Sequence, residues 1–167
     1  MKLHFALASA LVFGATAAFV PAAFAGTTAT VPISGTVTST LNISAFATTE
    51  ASSLDLSTPN EAIVKVADLA IDTNNSTGYT LTASSGNLSN PDSATPISYQ
   101  VKVIDGTASA PVTGDFTVAS GTDLSYGTSG ANASSTNGKS LYIKYTPAGL
   151  QDPGAYNGTI NLSVADN

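Results

Sequence analysis

The sequence predicts an all-β fold, an antiparallel sandwich, and three observations carry that prediction. Short runs alternate apolar and polar residues, Gly, Pro, Asn and Asp separate them, and apolar residues at helical spacing are scarce. The clearest run closes the chain. From Tyr156 the even positions read Tyr156, Gly158, Ile160, Leu162, Val164 and the odd ones Asn157, Thr159, Asn161, Ser163, Ala165, the pattern of a strand with one buried face. It is entered through Asp152-Pro153-Gly154 and has no successor, so its neighbours must lie upstream or on another molecule.

In chain order, residues 1–25 read as a secretory signal peptide: Lys2 and His4 flank the start of an apolar run from Leu3 to Val20, and Ala23-Phe24-Ala25 is a small-x-small cleavage site. Thr28 to Ile43 places Val31, Ile33, Gly35 and Val37 on one face, then changes phase to Leu41 and Ile43. The change across Thr38-Ser39-Thr40 predicts two strands in succession. Pro32 cannot donate to a ladder and speaks against a central position for the first. Residues 59–71 carry a helix-like start at Thr58-Pro59-Asn60-Glu61, but the β-branched Ile63, Val64, Val66 and Ile71 decide for a strand. Residues 72–78 then read as a turn and Tyr79 to Ala83 as a strand, the pair forming a hairpin.

Gly86 to Pro96 is loop by composition. Ile97 to Ile104 alternates through Tyr99, Val101 and Val103 and stops at Asp105-Gly106. Val112 to Val118 and Leu124 to Tyr126 are shorter candidate strands, and Thr128 to Ser135 a surface loop. Lys139 to Thr146 presents Leu141, Ile143 and Tyr145 on one face, and 148–154 link it to the terminal strand. Seven to nine short strands on these terms fit an immunoglobulin-like β-sandwich.

Composition narrows the function. Without residues 1–25 the chain has no His, Met, Cys, Trp or Arg, so the familiar nucleophile, base and thiolate-ligand sets are missing; no catalytic residue, metal site or cofactor is expected. An exported chain without cysteine must draw its durability from packing, strand pairing or association. Four lysines (Lys65, Lys102, Lys139, Lys144) face eleven acids, which speaks against nucleic acid or an anionic membrane as partner. After the signal no apolar run approaches the roughly 20 residues of a membrane span, so no direct membrane insertion is expected. Asp72-x-Asn74-x-Ser76-x-Gly78 has calcium-loop spacing at its start, but its glycine is misplaced and Ala83 stands where a bidentate Glu is required. It reads as turn chemistry. The seven Asn-x-Ser/Thr triplets follow from a Ser/Thr/Asn-rich composition, and the scattered acids read as solvated surface.

Two stretches together carry a resemblance. Residues 31–43, with their alternation, the small Gly35 and the Val37-x-x-Thr40-apolar-x-apolar run, resemble the N-terminal donor segment of alpha-class chaperone-usher pilins, the colonisation-factor fimbriae. Gly154-x-Tyr156-x-Gly158-x-Ile160-x-Leu162-x-Val164 resembles the closing strand of that family, and 96–99 more weakly its mid-chain strand opening. Spore-coat-U-like secreted sandwiches share the closing-strand motif. The pilin resemblance implies an incomplete sandwich, completed by the N-terminal extension of the next subunit. It also implies partnership with a periplasmic chaperone and an outer-membrane usher, and a homopolymer on the bacterial cell surface. Carried over by position, residues 26–38 are a donor extension and 39–167 the pilin domain. Val31, Ile33 and Val37 then enter pockets, and Gly35 marks the close approach. Acceptor walls include Leu41, Ile43, Tyr156, Ile160, Leu162 and Val164. The plainer alternatives are that 28–37 is an edge strand of its own domain, and that the chain is a self-contained secreted adhesive or carbohydrate-binding sandwich. Tyr156 in that case is a core aromatic with a wet hydroxyl.

Overall fold

The computed structural model describes residues 28–129 and 138–167; the signal peptide and most of the 128–135 loop lie outside them. The chain divides into two units at Thr36/Val37, and the second carries every strand among the described residues. Eight strands form two antiparallel sheets: β1 (Leu41–Ala47), β2 (Ala62–Thr73), β3 (Tyr79–Ala83), β4 (Gly86–Leu88), β5 (Ile97–Asp105), β6 (Leu124–Gly127), β7 (Lys139–Tyr145) and β8 (Leu162–Asp166). One sheet has the order β1-β2-β7-β5-β4, the other β6-β3-β8. The fold is an all-β sandwich.

The alternating runs become strands because one face of each is apolar. Tyr99, Val101 and Val103 of β5 meet Tyr145, Ile143 and Leu141 of β7 in register, Ile97 meets Leu88 of β4, and all are buried. Tyr79, Leu81 and Ala83 of β3 cover them from the second sheet. Residues 59–71 resolve to strand, as their β-branched residues require: β2 runs twelve residues and shifts register between Lys65 and Ala67. That bulge brings both Val66 and Ala67 into the core.

Five expectations are corrected. β2 and β3 are not a hairpin: β2 pairs with β1 and β7, β3 with β6 and β8, and the 74–78 turn carries the chain from one sheet to the other. The turn is built for that crossing. Gly78 takes φ 88°, and a Cβ there would stand 2.6 Å from the Thr128 carbonyl oxygen. Gly86–Leu88 is a short strand, because Leu88 packs into the core opposite Ile97. Residues 112–118 are not a strand; Thr113–Asp115 form a 3-10 turn capped by the Asp115 carboxylate accepting from the Val112 N–H at 2.8 Å. The terminal strand is shorter than its alternation, since 157–161 instead cross beside 84–89, with Asn157 and Ser89 exchanging backbone hydrogen bonds of 2.8 and 2.9 Å. Finally, 28–40 form no strand, although 31–37 alternate cleanly.

Polar anchors tie the sheets together. Lys139 is buried and pairs with Asp105, which also accepts from the Tyr126 hydroxyl at 3.0 Å, joining β6 to β5 and β7. The hydrogen bonds from Lys139 and then Tyr126 hold the Asp105 carboxyl below its usual range. At Asp55 the Ser57 hydroxyl, the Thr58 hydroxyl and the Ser57 N–H bring the carboxyl to about 2. Both groups are depressed in the folded state, so their stabilisation is present above the ordinary carboxylate value and is lost as pH falls through the folded one. Denaturant unfolding followed at pH 7, 4 and 2 is therefore expected to show stability dropping mainly between pH 4 and 2, with Asp55→Asn flattening that limb. An unchanged pH profile in the variant would remove Asp55 from the account.

Candidate functional site

An apolar cleft of about 330 Å³ opens between the free edge of β1 and the chain entering β8. Ala45 and Ala47 form one side and Gly158, Thr159, Ile160 and Leu162 the other; Val66, Leu141 and Ile143 of the core lie at its base. β1 pairs only with β2, and β8 only with β3. Both therefore present unpaired backbone N–H and C=O groups, the usual template for adding a strand.

Small side chains make the cleft. On β1 the odd positions Leu41, Ile43, Ala45 and Ala47 continue one alternation, but the last two are too small to reach across to β8. Ala45 and Ala47 are accordingly exposed, while Leu41 and Ile43 are half-buried. Across the cleft, Gly158 lets 157–161 lie close on β4: a Cβ there would stand 2.9 Å from Leu88 Cδ2 and 3.0 Å from the Asn87 carbonyl oxygen. The Tyr99 hydroxyl donates to the Thr159 carbonyl at 3.1 Å and fixes the same segment.

All six expected acceptor residues, Leu41, Ile43, Tyr156, Ile160, Leu162 and Val164, are half-buried and pack on the core. Ile160 and Leu162 line the cleft; Leu41, Ile43, Tyr156 and Val164 do not. Leu41 and Ile43 stand at the other end of β1, opposite Thr73 and Ile71, and Val164 lies opposite Leu81. The Tyr156 hydroxyl donates to the Asp152 carbonyl at 3.2 Å within its own loop. The residues missed include Ala45, Ala47, Ala51 and Leu54 on the β1 side, Gly158 and Thr159 opposite them, and Val66, Leu141 and Ile143 at the base. Continuing the alternation past Ile43 would have reached the first two, but Phe46, out of phase and 63% exposed, masks it.

The expected donor residues are fully placed in the described chain. Val31, Ile33 and Val37 are 82%, 93% and 89% exposed, and no atom lies within 4 Å of a Cβ built at Gly35. Among the described residues these are three of the four most exposed large apolar side chains.

A second cleft, of about 560 Å³, is polar, with Glu61, Ser98, Gln100, Lys144 and Gln151 among its lining residues. Lys144 Nζ lies 3.7 Å from a Glu61 oxygen and 5.5 Å from the Phe116 ring centroid. Both polar atoms of the Gln151 amide are buried without a protein partner. Among the described residues no His, Cys, Asp and Glu side chains cluster as a metal site, and no helix is long and apolar enough to cross a membrane. No protein-family model, curated protein or solved structure matches the chain.

Proposed function

We propose that the chain is a structural subunit of an extracellular bacterial fimbria, an incomplete immunoglobulin-like sandwich that polymerises head to tail by donor-strand exchange. One observation carries the reading: an exposed apolar strand pattern at 31–37 coexists with an open-edged apolar cleft between β1 and β8. Each is costly alone, and each is what the other lacks. Burying Val31, Ile33 and Val37 contributes about 1.5 to 3 kcal/mol apiece, and the two free edges offer backbone partners along the donor. A head-to-tail contact whose rotation does not close produces a filament.

On this reading the role is structural and not enzymatic, the principal partner is an identical subunit, and no cofactor or metal takes part. A periplasmic chaperone covers the cleft before assembly, an outer-membrane usher orders the exchange, and the product stands on the cell surface. The second reading, a self-contained carbohydrate-binding sandwich, draws on the polar cleft and its unpartnered Gln151 amide. Electron microscopy and light scattering of the mature chain separate the two. Fibres one subunit wide support the fimbrial reading; a monodisperse monomer that holds its state as concentration rises supports the other.

A further inference from the structure

The donor segment joins β1 through only three residues, Thr38-Ser39-Thr40, which raises the question of why it does not fold back onto its own β1. A three-residue hairpin is common. Such a hairpin would place Val37, Gly35, Ile33 and Val31 opposite Leu41, Ile43, Ala45 and Ala47, filling the subunit's own cleft.

The three residues are held in a way that opposes this reversal. Asn74 grips them twice with its side chain: Oδ1 accepts from the Thr40 N–H at 2.9 Å, and Nδ2 donates to the Thr38 carbonyl at 2.7 Å. The Asn74 N–H donates to the Thr40 carbonyl at 3.2 Å, which prolongs the β1–β2 ladder one step beyond its Leu41–Thr73 pair. The Ser39 hydroxyl donates at 3.0 Å to Asp166, whose other oxygen accepts from Thr73 at 2.6 Å. Thr38–Thr40 are thereby kept in line with β1, where a hairpin needs them to turn.

Strand direction does not by itself separate the two routes, which leaves the hold on Thr38–Thr40 as what opposes reversal. Leu41 of β1 lies at the Asp166 end of β8 through Thr73, and Ala47 shares the cleft with Leu162, so β1 and β8 run in opposite directions. A hairpin strand, antiparallel to β1, would lie parallel to β8, the slightly weaker pairing. A strand from a second copy can enter either way, and entering the other way it exchanges the parallel pairing with β8 for one with β1.

We infer that Asn74, assisted by Ser39 and Asp166, is a positioning residue that blocks self-completion and so commits residues 31–37 to another molecule. The inference rests on the donor-exchange reading and is tested apart from it. The chain has no cysteine, so Ser34→Cys with Ser44→Cys, facing positions of the same hairpin that lie off the apolar donor face and outside the cleft lining, reports the hairpin as an internal disulfide, seen as a faster-migrating monomer without reductant. Polymer is measured on the same samples by light scattering.

In the otherwise native chain the pair is expected to give polymer and little internally linked monomer. Adding Asn74→Ala removes two hydrogen bonds to the linker and should raise the ratio of internally linked monomer to polymer at least about tenfold. Asn74→Asp keeps the acceptor for Thr40 and loses only the donor to Thr38, so it should shift the ratio in the same direction by less. Because it preserves the turn, it serves if the alanine variant does not fold. Polymer formed equally by the native and Asn74 variants overturns the clamp and leaves donor exchange standing. Internally linked monomer with no polymer in the native background overturns both.

Discussion

Removing residues 26–37 is expected to abolish polymer while leaving the sandwich folded. Residues 28–37 form no strand and leave Val31, Ile33 and Val37 exposed. Their loss therefore removes no side chain from the core. What disappears, on the donor-exchange reading, is the run of exposed apolar residues that would enter the β1–β8 cleft. Three aliphatic side chains at about 1.5 to 3 kcal/mol each, with a ladder of backbone bonds beside them, is enough to separate stable fibres from no association. Light scattering of the deleted chain should give monomer or irregular aggregate, never fibres.

Moving the same residues should have the opposite effect. Grafting 26–37 behind Asn167 through a flexible linker, with the N-terminal copy deleted, is expected to yield a stable monomer. β8 ends at Asp166, and its free edge faces the cleft, so a linker can return the donor antiparallel to β8, the direction a strand arriving through 38–40 is denied. Tethering makes completion intramolecular, with an effective concentration in the millimolar range for a short flexible linker. Denaturant unfolding should show a midpoint well above that of the deleted chain, and Ile33→Asp within the graft should return it most of the way.

The sandwich was legible because its core strands obey a period of two without interruption. Ile97 to Val103 and Leu141 to Tyr145 have every second residue apolar, and both became central strands. Pairing was less legible. Residues 62–73 and 79–83 sit either side of a good turn, and nothing in their residues says that the chain changes sheets at Asn74 to Gly78. That information lies in the tertiary contacts of Gly78 with Thr128 and of Thr73 with Asp166.

The cleft was half legible. Ile160 and Leu162 stand out by size, and both line it; the wall of Ala45 and Ala47 was overlooked because a cavity is made where side chains are small, and small side chains carry little pattern. Conversely, alternation in 31–37 marked a strand that is absent from the structure over those residues. A period of two records that one face is made to be buried, without recording by which molecule. Tyr156 and Val164 show the reverse: both follow the pattern, yet a loop carbonyl and the β3 ladder respectively engage them, away from the cleft.

The most direct measurement adds a synthetic peptide of residues 28–37 to the chain that lacks 26–37 and follows both binding and thermal unfolding. Donor-strand completion predicts saturable one-to-one binding and a melting temperature that rises with peptide concentration, with both effects lost for a peptide carrying Ile33→Asp. A deleted chain that is already a stable two-state monomer and ignores the peptide would contradict the account.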